Sequence, residues 1–429
     1  MSCETQLIEA LHEWTSVMNK GSSQIDAIVL DFSKAFDMVP HQRLLEKLKS
    51  YGITGHTATW IGSFLSNRTH NVVVDGVKSQ TEAVTSGVPQ GTVLGPLLFL
   101  IYINDISEQL QSPVRLFADD SVVYREIQSI EDTHTLQQDL FRLQEWADKW
   151  QMSFNVAKCK VLRITRKTKH KITTKYLMST PNKPKSDIKV PRKTYKAAAD
   201  ILRTNRPTGS YESLCEISSD KYLGVILDNR LSFNSHIDEI VSKATKLLNL
   251  CRRNLHMCSP ELKEIAYKSL VRPHLEYASP AWSPHTQRNI NKVEAVQTRA
   301  ARFVLGNYTY GPESSISNDI KLKLGWKPLY ARRALYDLSL FYKIRNGLIA
   351  IPFPVEVQPS YMNNIKYQHM QVLHAENYRN SFFPRTVRLR NTLSVACTSA
   401  LLIPTFNSQC KSWLAPKAWG RVNGIFRPL

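Results

Sequence analysis

The sequence is short of acid. Across 429 residues, 36 Asp and Glu face 56 Lys and Arg, which leaves a net charge of +20. An excess of that size argues against an ordinary small-molecule enzyme and for a polyanionic partner. Glycine is also scarce, at 16 residues, while 42% of the chain is hydrophobic, so wholesale disorder is excluded. The seven cysteines are odd in number and scattered, with no CxxC pair and no Cys/His knuckle. Neither a disulfide framework nor a zinc site is supported. The most apolar run, residues 93–103, is too short to span a bilayer. Residues 1–13 lack the basic stretch and apolar core of a signal peptide. The expectation is an intracellular, basic chain of two or three domains, with no membrane partner.

The charge is concentrated. Residues 158–206 hold 16 Lys and Arg against two acids, so +14 of the +20 lies there. With Pro181, Pro184 and Pro191 in it and little apolar periodicity, residues 167–219 are expected to be a basic, flexible insertion. Before it, helices and strands alternate. Residues 6–18 carry apolar side chains at helical spacing, and residues 25–30 form an apolar, β-branched run that stops at Asp31, as a buried strand would. Asp75-Gly76 marks a hairpin within 71–77, and residues 114–124 form a second hairpin with Asp119-Asp120 at its tip. Residues 136–150 are an amphipathic helix, and 221–227 read as one further strand. From residue 237 onward the pattern is helical, with Ser259-Pro260-Glu261 as a start signal and Gly306 and Gly347 as stops. From Pro352 the chain is expected to be irregular.

Two constellations carry chemistry. Asp31 ends one strand and Asp119-Asp120 turn another, so three carboxylates can meet on one sheet edge. Such hard oxygen donors suit Mg²⁺, although each Asp taken singly also fits a turn or a cap. The second is Ser86-Gly87-Val88-Pro89-Gln90-Gly91-Thr92-Val93-Leu94-Gly95-Pro96, a loop whose glycines allow close backbone approach, followed by an apolar helix over 97–103.

In their order along the chain these segments resemble the motifs of reverse transcriptases. Val29-Leu30-Asp31-Phe32-Ser33-Lys34-Ala35-Phe36-Asp37 is similar to the first catalytic motif, residues 86–99 to the template/nucleotide loop, and Phe117-Ala118-Asp119-Asp120 to the aspartate pair. Asn155-Val156-Ala157-Lys158-Cys159-Lys160 resembles the lysine motif that follows, and Lys221-Tyr222-Leu223-Gly224-Val225 the primer-grip strand. The wording is that of non-LTR (LINE) retrotransposons of the jockey and chicken-repeat type. His274-Leu275-Glu276-Tyr277-Ala278-Ser279-Pro280-Ala281-Trp282 and Leu324-Gly325-Trp326 extend the likeness into the helical part.

The resemblance implies an α+β right-hand palm, an antiparallel sheet with packed helices, followed by a helical thumb, with the fingers largely absent. The boundaries expected are palm with a remnant of fingers over 1–166, the basic insertion over 167–219, the end of the palm over 220–233, the thumb-like region over 234–350 and the irregular end over 351–429. It implies that Asp31, Asp119 and Asp120, with the Phe32 carbonyl, bind two Mg²⁺ ions (or Mn²⁺). Phe36 would lie under the nucleotide sugar, an ordinary core Phe being the competing role. Gln90 and Gly91 would line nucleotide and template, and Lys158 would approach the triphosphate, with Lys160 as the fallback. Tyr222, Leu223 and Gly224 would position the primer end, Arg299 and Arg302 would track duplex phosphates, and Asp37 would serve structure or solvation. The partners implied are an RNA template, a DNA primer and a dNTP, in a ribonucleoprotein of nucleus or cytoplasm.

The resemblance starts well inside the family's polymerase domain, so a truncated element copy or a gene model that starts late is expected, without the upstream endonuclease and without a knuckle after the thumb. The function expected is RNA-directed DNA polymerase. The alternative is an inactive nucleic-acid-binding relic, and a relative of intron-encoded splicing helpers is a third class that the LINE-like thumb wording disfavours.

Overall fold

Residues Gln24–Leu30, mostly apolar and buried on both faces, form the middle strand of a five-stranded sheet, as a central strand requires. In the computed structural model, which describes residues 2–21, 23–167, 171–180, 210–308, 320–354, 357–360, 363–369, 375–398, 400 and 402–413, the chain divides into two units. One is residues 23–218, and the other joins residues 1–22 to 219–429.

The chain enters through helix α1 (Cys3–Asn19), which belongs to the second unit. The first unit begins with β1 (Gln24–Leu30), then α2 (Ala35–Met38), α3 (His41–Ser50) and α4 (Gly55–Leu65). Two small ribbons follow, β2 (Arg68–His70) with β5 (Glu82–Val84) and, inside it, β3 (Val73–Val74) with β4 (Val77–Lys78). Val74 faces Val77 across the two-residue turn Asp75-Gly76, where both φ angles are positive (48° and 81°). Next come α5 (Leu94–Ile103), β6 (Val114–Phe117), β7 (Asp120–Glu126), α6 (Ile130–Lys149), β8 (Lys160–Thr165), β9 (Leu177–Thr180), β10 (Ser210–Ser213) and β11 (Cys215–Ile217).

The main sheet runs β11-β8-β1-β7-β6, antiparallel throughout except for β11, which pairs parallel with β8. Helices α3, α5 and α6 cover it through one core that includes Ile28, Leu30, Leu44, Leu48, Phe99, Tyr102, Leu136, Leu140 and Leu143. At the end of β1 remote from Asp31, Asp26 is fully buried and accepts from Arg163 Nε (3.1 Å), Gln24 Nε2 (2.9 Å) and Tyr176 Oη (2.8 Å). Three donors on one carboxylate offset its desolvation and tie the strand's register to β8 and to the segment around residue 176.

That last contact corrects the expected insertion. Tyr176 is buried, β9 pairs with β10, and β11 joins the main sheet, so residues 171–180 and 210–217 are built into the fold. The rest of the basic stretch, 181–209, lies outside the described residues.

The second unit starts after residue 218 with β12 (Ser219–Tyr222) and β13 (Val225–Asp228). The single strand expected over 221–227 is therefore a hairpin whose turn is Leu223-Gly224, with φ of 46° and 83°. Helices α7 (Asn234–Asn254), α8 (Pro260–Ala266), α9 (Arg272–Glu276), α10 (Ser279–Trp282), α11 (Gln287–Leu305) and α12 (Leu329–Arg345) follow. Ser259 caps α8, accepting from the Leu262 N–H, and Gly306 ends α11 at φ 64°. The expected irregular end contains α13 (Phe382–Arg390), nearly all of it buried, and α14 (Ile403–Trp413). Phe382, Phe383 and Val387 pack with Phe341 of α12 and Ile8 of α1. The sequence signal for this helix is masked by Pro384, which stands in the first turn, where its missing N–H costs nothing.

Candidate active site

The buried run of β1 fixes where its polar successor emerges. Leu30 stands opposite Ser121 of β7. Asp31, one residue beyond, and Asp120, one residue before, therefore occupy the same end of neighbouring strands. Phe117 pairs with Asp120 and closes the two-residue turn Ala118-Asp119, with Ala118 at φ 51°. A non-glycine residue in the left-handed region costs about 1 kcal/mol, and here the turn leaves both aspartates exposed on the sheet edge.

The backbone of Asp31 is sewn to the loop after α6. Its carbonyl accepts from the Asn155 N–H at 2.8 Å, and its own N–H points to Cys159 Sγ at 3.5 Å. Burial pushes the Cys159 thiol up to about 11, so it stays protonated beside the carboxylate. Phe32 is buried, stacked on Phe154 with centroids 4.6 Å apart and bridged to it through the backbone. The same loop delivers Lys158, whose Nζ lies 3.7 Å from Asp31 Oδ2. Both side chains are exposed, 67% for the lysine and 41% for the aspartate. A pair so solvated adds at most about 1 kcal/mol of stability, so its significance is a cation held beside the carboxylate edge.

The glycine loop docks on the segment after Asp31. The Gly87 N–H donates to Val39 O (2.8 Å), the Val88 N–H to Phe36 O (2.7 Å) and Ser86 Oγ to Asp37 O (2.8 Å). At φ 91°, a Cβ on Gly87 would sit 2.8 Å from Asp37 Cα. A Cβ on Gly95 would sit 2.2 Å from Pro89 O, so the loop closes on α5 only with glycine there. Gln90 is exposed, with Nε2 3.4 Å from Asp37 Oδ1, and Gly91 is exposed at φ 77° with open space around it. Phe36 is half-buried and stacked on Phe99 at 4.6 Å. Both roles foreseen for Phe36 are thus compatible with its position, one face in the core and one edge toward solvent.

The carboxylate edge, Lys158, Phe36, Gln90 and Gly91 all belong to the first unit, whereas Tyr222, Leu223, Gly224, Arg299 and Arg302 belong to the second. There Tyr222 and Leu223 are buried, and Tyr277 Oη donates to Leu223 O at 3.1 Å. Arg299 is exposed and donates to Thr245 Oγ1. Among the described residues no three Asp, Glu, His or Cys side chains gather closely enough to hold a metal ion. The donor chemistry nevertheless suits a hard divalent cation, being carboxylate alone.

Residues 3–227 match the family model described as reverse transcriptase (RNA-dependent DNA polymerase), more than half of the chain. The chain belongs to the reverse transcriptase family. It is 30% identical over 312 residues to the RNA-directed DNA polymerase from mobile element jockey of Drosophila funebris, covering 70% of this chain and 30% of that protein. The Drosophila melanogaster jockey polymerase is 30% identical over 313 residues, again 70% of this chain and 30% of the relative. A probable RNA-directed DNA polymerase from transposon X-element of the same fly is 26% identical over 75% of this chain and 32% of its own length. The chain thus spans about a third of the length of the relatives it matches. No helix among the described residues is long and apolar enough to cross a membrane.

One group that the sequence motifs leave out is a cleft of about 960 Å³ in the helical unit, lined by Lys246, Arg252, Arg253, His256 and Lys263 with no acid among its lining residues. Lys246, Asn249 and Arg253 recur at steps of three and four along α7, a helical-face signal that was available in the sequence.

Proposed function

We propose that the chain is the polymerase part of a LINE-type RNA-directed DNA polymerase, transferring a nucleotide from a dNTP to a primer 3′-hydroxyl under the direction of an RNA template. The observation that carries this reading is the shared sheet edge of Asp31, Asp119 and Asp120, with Lys158 Nζ at 3.7 Å from Asp31. In it the first unit is the palm and the second, after its hairpin, the thumb.

Asp31, Asp119 and Asp120 would hold two divalent ions, Mg²⁺ or Mn²⁺, which activate the hydroxyl and neutralise charge on the triphosphate. Lys158, an exposed cation on that edge, meets the triphosphate and can give a proton to the leaving pyrophosphate. Phe36 is braced by Phe99, so its bulk under the sugar resists displacement and selects against a 2′-hydroxyl. Gln90 and Gly91 present an amide and an unobstructed backbone to base and template. In the helical unit, Leu223 and Gly224 form a rigid turn for the primer end, and the cleft at Lys246 and Arg253, with Arg299 and Arg302, follows phosphates without reading bases.

Incorporation of dTTP on poly(rA)/oligo(dT) with Mg²⁺ tests the proposal, with Asp119→Asn alongside. Activity in the parent chain that drops at least 100-fold in the variant supports it. A parent chain as silent as the variant, yet still shifting an RNA–DNA duplex in a gel, would show a nucleic-acid-binding relic instead.

A further inference from the structure

The loop of residues 86–95 is anchored on both sides of its apex. On one side the Val88 N–H donates to Phe36 O at 2.7 Å and Ser86 Oγ to Asp37 O at 2.8 Å, while His41 Nε2 lies 2.9 Å from Gly87 O. On the other, Thr92 Oγ1 donates to Pro89 O at 2.7 Å and accepts from the Gly95 N–H at 3.0 Å. Between them stand Gln90 and Gly91, both exposed. The backbone therefore fixes where the Gln90 side chain emerges but not how its amide is turned. An amide carries N–H₂ on one side and C=O on the other, so half a turn inverts the chemistry it presents.

One side chain settles that turn. Among the described residues the Gln90 side chain bonds to Asp37, with Nε2 3.4 Å from Oδ1. A carboxylate accepts and does not donate, so it selects Nε2 and repels Oε1. At that length and exposure the contact adds little to stability, and its effect is on orientation. Asp37 is itself held in place. Its N–H donates to Lys34 O at 2.9 Å, its carbonyl accepts from Ser86 Oγ, and its Cα lies so close to Gly87 that a Cβ there would come within 2.8 Å. With Nε2 toward Asp37, Gln90 Oε1 faces away as an acceptor with no donor among the described residues.

We infer that Asp37 is a positioning residue, which acts through Gln90 by turning its carbonyl oxygen toward the incoming nucleotide. The inference rests on the polymerase reading for the identity of that ligand. A nucleotide paired with its template can supply the matching donor from its sugar, as the 3′-hydroxyl, or from its base, as the spare N–H of an exocyclic amino group. Thymine has no such group.

Single-nucleotide incorporation with Mg²⁺, on RNA templates that call for each of the four dNTPs, tests this. Asp37→Ala is expected to raise KM by about 3- to 10-fold, as loss of one orienting hydrogen bond does, with kcat kept within about twofold. The same substitution in a Gln90→Ala background should add nothing, because the side chain it turns is gone. A role confined to holding the loop would persist there. Asp37→Asn can hold the amide either way round, so it should raise KM about 2-fold, and it decides if Asp37→Ala fails to fold. A rise for all four dNTPs, dTTP included, with none for ddTTP, identifies the 3′-hydroxyl as the donor. A rise confined to dATP, dCTP and dGTP identifies the base. Parental KM in both Asp37 variants, an equal rise in the Gln90→Ala background, or an equal rise for dTTP and ddTTP overturns the inference, while incorporation by the parent leaves the polymerase reading in place. A parent that incorporates nothing removes that reading and this inference with it, since no nucleotide then meets Gln90.

Discussion

Gly87 bears more on the active-site edge than its lack of a side chain suggests. It joins the glycine loop to the segment carrying Phe36 and Asp37, at a φ of 91° and a distance that leaves a Cβ only 2.8 Å from Asp37 Cα. Alanine there must both take a left-handed conformation and push the backbone of the neighbouring segment away. Gly87→Ala is expected to cost about 2–4 kcal/mol in urea unfolding and to raise the KM for dNTP at least tenfold. Unchanged stability and KM would mean that the seam is not needed. Single residues of this kind divide what is legible in the sequence from what is not. Asp31, Asp119, Asp120 and the loop glycines were legible because strand ends and tight turns announce themselves locally. The contact of Gly95 with Pro89 O was not, since it depends on how a loop folds back on its own helix. The choice of Lys158 near Asp31 turns on which way a short turn after Asn155 faces, and the structure shows Lys158 there.

Among the elements, the hairpin of β12 and β13 is held to the helices through one neutral histidine. His236, in the first turn of α7, is 2% exposed, accepts from the Ile226 N–H on Nδ1 at 3.3 Å and meets the Trp282 ring edge-on at 5.2 Å. Burial pushes its pKa down to about 4. Since the folded value lies below the unfolded one, near 6.5, the site's contribution is complete above pH 6.5 and is lost as pH falls toward 4, because only the unfolded chain takes up the proton. Stability should fall by about 2 kcal/mol between pH 7 and pH 5 through this group. His236→Asn, which keeps an acceptor near Nδ1, should flatten the pH dependence by that amount. Parallel profiles for the two proteins in urea at pH 5, 6 and 7 would remove His236 as the cause. The same hairpin shows why one strand was expected where two exist. Lys221-Tyr222-Leu223-Gly224-Val225 has the alternation of a strand, and only the positive φ at Leu223, unusual for a branched apolar residue, converts its middle into a turn. Tertiary support overrides the local preference: Tyr277 Oη holds Leu223 O, and a Cβ on Gly224 would lie 2.8 Å from the Tyr277 ring.

At the scale of the whole molecule, the excess of positive charge separates into three parts with different work to do. Residues 181–209 hold eight Lys and Arg against two acids. A second share stands on the described residues of the first unit around Lys158 and Arg163, and a third lines the clefts of the helical unit. Composition could not make this division, because Arg163 counts as a cation although it is spent on buried Asp26. It also could not show that both ends of the basic stretch are strands, since they are fixed by Tyr176 reaching Asp26 and by β11 pairing with β8, contacts made across the sequence. The structure therefore sets the limits of a clean deletion. Thr180 and Ser210 are cross-strand partners at the ends of β9 and β10, so an Asn-Gly turn can replace residues 181–209 without disturbing either strand. If those cations meet phosphates, the slope of log affinity for an RNA–DNA duplex against log salt should become shallower by as much as about 5–7, at roughly 0.7–0.9 for each phosphate that the deleted cations neutralise. The unfolding midpoint should remain that of the parent. Substituting Lys246, Arg252 and Arg253 together by Gln should reduce the slope further, by about 2–3, in either background. A deletion that leaves the slope untouched while the triple substitution abolishes it would assign binding to the helical unit alone.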